Sequence, residues 1–69
     1  MATLYRRYVG RKIVAQLPDL TLAGTLERED ATTLVLVDVV AIGANGREKK
    51  PVDGEVVIER AHLQWAQVV

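Results

Sequence analysis

Two short segments carry the residue types that could act on a ligand, Asp30-Ala-Thr-Thr33 and Arg60-Ala-His62. An aspartate such as Asp30 can accept backbone hydrogen bonds in a tight turn. A guanidinium or imidazole, here Arg60 and His62, can stack on a nucleobase. Arg6, Arg7, Arg11 and Lys12 cluster near the start of the chain, and Arg47, Lys49 and Lys50 form a second basic group. Phosphate contacts need such groups. The same residues are poor material for breaking bonds. Hydrolysis needs a nucleophile with a positioned base, or two carboxylates with separated roles. The chain has no cysteine and no serine, His62 is its only histidine, and the Thr32-Thr33 pair has no visible base partner. Glu27, Glu29 and Asp30 read as a solvated acidic run, where a divalent cation would bind without specificity. No catalytic residue, no metal site and no cofactor is expected.

Each of these signals has a plainer counterpart. Asp30 can simply cap a turn, and Arg60 can pair with Glu59 or Glu27 on the surface, where such a pair contributes roughly 0–1 kcal/mol. The basic groups are offset by Glu27, Glu29, Asp30, Glu48, Asp53, Glu55 and Glu59. Trp65 reads as packing at a strand or subunit contact in preference to a base platform.

The elements that must position these residues have to form one small domain, residues 1–69. A chain this short buries only about 60% of the surface that its unfolded form exposes. Disulfides, a metal or a partner subunit usually make up the deficit. Without cysteine and with a single histidine, association is the remedy left, and an apolar content of 49% suits it. The formal net charge is zero, so no whole-chain attraction to nucleic acid or membrane is expected. No apolar run approaches the roughly 18 residues needed to span a bilayer. The start of the chain lacks the apolar core of a signal peptide, and a cytoplasmic location follows as the default expectation.

Thr3, Leu4, Tyr5 and Tyr8 spell a short N-terminal α-helix with a threonine cap, Leu4 and Tyr8 sharing one face, Arg6 and Arg7 turned outward, and Gly10 as the stop. From Arg11 to Leu17 the residues alternate, Ile13, Ala15 and Leu17 on one face, which predicts a half-buried strand. Pro18-Asp19 supplies a turn. A second strand runs from about Leu20 to Glu29, with Leu22, Gly24 and Leu26 pointing the same way. Gly24 inside this pattern marks a bend or a close backbone approach. After Asp30-Ala-Thr-Thr33 a third strand reaches about Ile42, with Leu34 and Leu36 on one face and Val35, Val37 and Val39 on the other. Gly43 to Gly54 is the one long connection, and Asn45-Gly46 and Asp53-Gly54 are its turn signals. Glu55 to Glu59 is a fourth strand, with Val56 and Ile58 opposite Val57, and Leu63 to Val69 a fifth. The expected fold is mainly β, a short N-terminal α-helix on a strongly bent, five-stranded antiparallel barrel.

The order of residues resembles the Sm-like (LSm) family of small, SH3-like barrels. A first block is matched by Gly10-Arg-Lys-Ile-Val14, Leu17-Pro-Asp19, Gly24-Thr-Leu26, Asp30, Leu34-Val-Leu36 and Asp38. A second is matched by Gly54-Glu-Val-Val-Ile58, Arg60-Ala-His62 and Leu63-Gln-Trp65. The pattern covers nearly the whole chain, and helix, strand spacing and loop placement agree. Its base-binding pocket is less well matched. The loop after Asp30 is one residue short, Thr33 stands nearest the expected asparagine, Arg28 and Glu29 replace a glycine and an aromatic, and Glu59-Arg60 replaces an Arg-Gly pair.

The resemblance implies a homo-oligomeric ring, a hexamer or heptamer, that binds single-stranded RNA at loops around its pore. Asp30 would orient the loop, Thr32 and Thr33 would face the base with Thr33 hydrogen-bonding it, and Arg60 or His62 would stack or touch phosphate. The fourth strand of one subunit would pair with the fifth of the next, which implies an interface of Val56, Val57, Ile58, Leu63, Trp65 and Val68. The alternative is an oligomeric structural or adaptor ring that binds no nucleic acid.

Overall fold

The computed structural model describes residues 4–43 and 46–69, without the side chain of Leu4. The expected cap at Thr3, the side chain of Leu4 and Asn45 of the expected turn lie outside the described residues. Among the described residues six strands form one antiparallel sheet: β1 (Lys12–Leu17), β2 (Leu20–Glu29), β3 (Thr33–Ile42), β4 (Lys49–Val52), β5 (Val56–Glu59) and β6 (Trp65–Val68). Strand order is β4-β3-β2-β1-β6, with β5 also paired to β3.

Alternation makes the first hairpin. Ile13 and Ala15 of β1 point inward and are buried, and β1 meets β2 in a register that runs from Lys12↔Thr25 to Leu17↔Leu20, so Pro18 and Asp19 form the expected two-residue turn. Leu22, Gly24 and Leu26 of β2 are buried, as their period-two spacing predicts. The long strands then bend at two bulges. Between Ala23↔Val40 and Thr25↔Val37 one residue, Gly24, opposes two, Asp38 and Val39; between Leu26↔Leu36 and Arg28↔Val35 the extra residue is Glu27.

Gly24 allows the close approach. A Cβ built there would lie 3.0 Å from both the Val37 carbonyl oxygen and Val39 Cγ2. Asp38, opposite, has a left-handed φ of 53°, a conformation aspartate tolerates better than most residues. The extra residue inverts the alternation of β3 beyond it. Val39, expected on the face opposite Leu34 and Leu36, therefore joins them in the core at 2% exposure.

The core is Ile13, Ala15, Leu22, Leu26, Leu34, Leu36, Val39 and Ile58. Tyr5 and Tyr8 pack against it, while Arg6 and Arg7 are exposed. The N-terminal element differs from the expected α-helix: it is a 3₁₀ helix, Leu4–Tyr8, whose repeat of three brings Tyr5 and Tyr8 to one side. Gly10, at φ 91°, ends it, and its N–H donates to the Leu26 carbonyl at 2.7 Å.

The expected count of five strands is also corrected. Lys49–Val52, expected within the long connection from Gly43 to Gly54, is β4 and pairs with the far half of β3. Strand β5 pairs with the near half, Thr33↔Glu59 to Leu36↔Val56. The two are one strand's course interrupted at residues 53–55, where Gly54 takes a φ of 80°. The last strand begins at Trp65; the Leu63 N–H still donates to the Arg60 carbonyl of a 3₁₀ helix, Arg60–His62, and Leu63 packs on the core. No helix among the described residues is long and apolar enough to cross a membrane.

Candidate functional site

The turn between β2 and β3 is organised by one carboxylate. Asp30 Oδ1 accepts from the Thr32 N–H at 2.9 Å, the Thr33 N–H at 2.8 Å and the Thr33 hydroxyl at 2.9 Å, and the Asp30 N–H donates to the Thr33 carbonyl at 3.0 Å. Donors aimed at the ionised form hold the Asp30 carboxyl below its usual range, first the Thr32 backbone N–H, then the Thr33 hydroxyl and N–H. Asp30, Ala31 and Thr32 are exposed and Thr33 is half-buried.

The Arg60 N–H donates to the Thr32 carbonyl at 2.8 Å, which fastens the second loop to the first. Asp30, Thr32, Thr33 and the Arg60 backbone are thus brought together. His62 is two residues farther on the same 3₁₀ helix and exposed, and Glu59 beside it is exposed too.

The Arg60 side chain turns inward. Its Nη2 donates to Glu29 Oε2 at 2.7 Å, and its guanidinium lies 5.0 Å from the centroid of the Tyr5 ring, within cation–π range. The side chains of Arg60 and Glu29 are only 15% and 4% exposed. Arg6 Nε reaches the other Glu29 oxygen at 3.4 Å from the surface. Sequence reasoning paired Arg60 with Glu59 or Glu27, and missed both Glu29 and Tyr5. The available signal was that Glu29 and Arg60 both stand where the Sm-like pattern has uncharged residues.

Arg28, another residue at odds with that pattern, makes a two-pronged contact with Glu55, Nη1 to Oε2 at 3.2 Å and Nη2 to Oε1 at 3.0 Å. The hydrogen bond and charge of Arg28 lower the Glu55 carboxyl, and Glu55 raises Arg28 in turn. Arg6, Arg28 and Arg60 are thus each engaged by a carboxylate.

Of the residues assigned to an interface, Val57 and Trp65 present exposed side chains, 58% and 51% accessible. Val56, Leu63 and Val68 are half-buried against the core and Ile58 lies within it, so these have mainly backbone to offer at a strand edge. Among the described residues β5 pairs only with β3 and β6 only with β1, which leaves one edge of each open. No group of three or more His, Asp or Glu side chains among the described residues is arranged to hold a metal ion.

No protein-family model matches the sequence, and no curated protein matches it. Solved structures do match in fold. A heptameric archaeal Sm protein is 18% identical over 99% of this chain and 98% of its own, with a TM-score of 0.83. A chain in the crystal structure of the NatC complex bound to CoA is 22% identical over 100% of this chain and 87% of its own, with a TM-score of 0.81. The Sm protein of Pyrococcus abyssii, in complex with a uridine heptamer, is 17% identical over 96% and 93%, with a TM-score of 0.77. The fold of this chain is Sm-like over nearly its whole length.

Proposed function

We propose that the chain is a ring-forming Sm-like protein that binds single-stranded RNA at the loops around the ring's pore. The observation that carries the ring is the pair of open edges on β5 and β6, each bearing an exposed apolar side chain, Val57 or Trp65. Unpaired apolar edges are aggregation hazards unless a partner covers them. When the two edges of one subunit are covered by those of its neighbours, the contact is head-to-tail and closes where the rotation allows. The heptameric archaeal Sm protein of the same fold supports this reading. Its size class, hexamer or heptamer, is read from the mass of the assembly.

RNA binding is supported by the Sm protein in complex with a uridine heptamer and by the joined loops at residues 30–33 and 60–62. In this reading Asp30 holds the turn, Thr32 and Thr33 face the base, His62 stacks on it or meets phosphate, and Arg60 sets the position of the second loop through Thr32. The chain acts by binding and not by catalysis.

A second reading, an adaptor ring without nucleic acid, draws on three observations. The arginines nearest the loops are engaged by carboxylates, and exposed Glu59 disfavours phosphate. A chain within the NatC complex also shares the fold. Titration with oligouridine and oligoadenine at two salt concentrations, followed by Trp65 fluorescence, separates the two. Binding that weakens with salt and is lost in a Thr33→Ala/His62→Ala variant supports the pore site; an assembled ring that binds neither oligomer at low salt supports the adaptor.

A further inference from the structure

The donors of Thr32 and Thr33 are spent inside the turn. The backbone N–H and the hydroxyl of each residue are directed at Asp30 Oδ1, at 2.8 to 3.4 Å. Arg60 is spent in the same way, its N–H on the Thr32 carbonyl and its Nη2 on Glu29. What the turn keeps for a ligand is acceptors: Asp30 Oδ2, which takes none of these donors, and the lone pairs of two hydroxyl oxygens. Glu59 adds to them. It is exposed and makes no ion pair or side-chain hydrogen bond among the described residues. The register sets it directly opposite Thr33, so the two side chains rise on one face with their Cβ atoms roughly 5 Å apart. Leu34 and Ile58, their neighbours along β3 and β5, turn into the core, so that face is the outer one.

A surface of acceptors chooses among bases by where they carry N–H groups. An ionised carboxylate accepts through two oxygens and donates nothing. Guanine alone among the four bases of RNA presents two neighbouring donors on its pairing edge, N1–H and the 2-amino group, and they match the two oxygens of one carboxylate. Adenine and cytosine set a ring acceptor beside their amino group, and uracil sets its single N–H between two carbonyls. Each of these three turns a lone pair toward the carboxylate. We propose that the loop site selects guanine and that Glu59 is the residue that sets the choice, its carboxylate accepting from N1–H and the 2-amino group. The inference rests on the RNA-binding reading and names the base that this site prefers. Inward-turned Arg60 leaves the carboxylate of Glu59 to the ligand, since its guanidinium is held by Glu29 and lies under Tyr5. His62, exposed at the end of the same short helix, remains for stacking or for phosphate and does not discriminate between bases.

The test is fluorescence anisotropy of end-labelled RNA pentamers titrated with the full chain at low salt. The probes are pentauridine and its variants with a central guanosine, inosine, 2-aminopurine riboside or adenosine. A central guanosine should tighten binding about tenfold over pentauridine. Inosine lacks the 2-amino group and 2-aminopurine lacks N1–H, so both should fall between guanosine and uridine, and adenosine should gain nothing. Glu59→Gln, an exposed and isosteric change, should remove most of the guanosine preference. His62→Ala should weaken binding of every pentamer and keep the preference, a split that a merely structural effect of either residue would not produce. Equal affinity for all the pentamers, or a preference that survives Glu59→Gln, would overturn the inference while the loops stand as an RNA site. Binding of none of them would overturn it together with the RNA-binding reading.

Discussion

Glu29 and Arg60 meet at 2.7 Å across 31 positions of sequence, beneath the ring of Tyr5 and nearly out of reach of solvent. Removing one partner of a buried ion pair is costly because the other charge stays buried. Arg6 remains beside Glu29, which softens the loss. Arg60→Ala should therefore destabilise the fold by about 2–3 kcal/mol, below the usual range for such a loss. In a domain of this size that lowers the unfolding midpoint by roughly 10–20 °C. The double replacement Glu29→Phe/Arg60→Gly, which installs the aromatic and glycine of the Sm-like pattern, should cost less than the sum of its single variants. Thermal unfolding of the four proteins measures the coupling, and additive effects would show that the two side chains do not act as a unit.

That pair also marks the limit of what the sequence discloses. Strands β1 to β3 and the Pro18-Asp19 turn are legible because alternation and turn residues are local signals. The lysines and proline of Lys49–Val52 break any apolar alternation, and proline suits a strand whose other edge is open. The place of Val39 was not legible because a bulge shifts every later side chain to the opposite face, and Gly24 marked a bend without saying which strand carried the extra residue. The short 3₁₀ element was mistaken for α-helix because four or five residues fit either repeat. At the site, Asp30 and its threonines were legible as a turn. The inward course of Arg60 was not, since its partners Glu29 and Tyr5 arrive from distant sequence.

The Asp30 turn and the Arg28–Glu55 contact should make stability fall in acid. Both carboxyls sit lower in the folded chain than their ordinary values, Asp30 through donors from Thr32 and Thr33, Glu55 through Arg28. The unfolded chain therefore takes up protons first as the pH drops. The stabilisation is present above the ordinary carboxylate range and is lost as the pH falls through the folded values, from about pH 5 downward. Asp30→Asn and Glu55→Gln should each flatten the acid limb of a plot of unfolding free energy against pH, measured with urea. A slope equal to that of the parent protein would show that the carboxyl in question does not contribute.

Gly24 tests the bend. A methyl group there would press on the Val37 carbonyl and on Val39 Cγ2, each at 3.0 Å, one a backbone atom of β3 and the other a side chain of the core. Gly24→Ala should cost about 1–3 kcal/mol by overpacking. Gly54→Ala is the control for conformation without crowding. It has a φ of 80° with nothing within 4 Å of the added carbon, and should cost about 1 kcal/mol. Urea midpoints at unchanged m-value measure both, and a Gly24→Ala protein as stable as its parent would show that the strands are not held at this separation.

The open edges make the most direct prediction. Val57 on β5 and Trp65 on β6 are exposed in the single subunit and lie outside the core, so replacing them should spare the barrel and strike only its association. If subunits complete one another's sheets, stability depends on protein concentration, because association stabilises only the folded chain. The unfolding midpoint of the parent protein should then rise with concentration, and native mass spectrometry should show one closed species. A lysine on an open strand edge discourages pairing with another chain. Val57→Lys should give single subunits whose midpoint no longer varies with concentration, and Trp65→Ala should weaken the assembly in the same direction. A parent protein that stays a single subunit at micromolar concentration would remove the ring, and an unchanged assembly in Val57→Lys would move the contact away from β5.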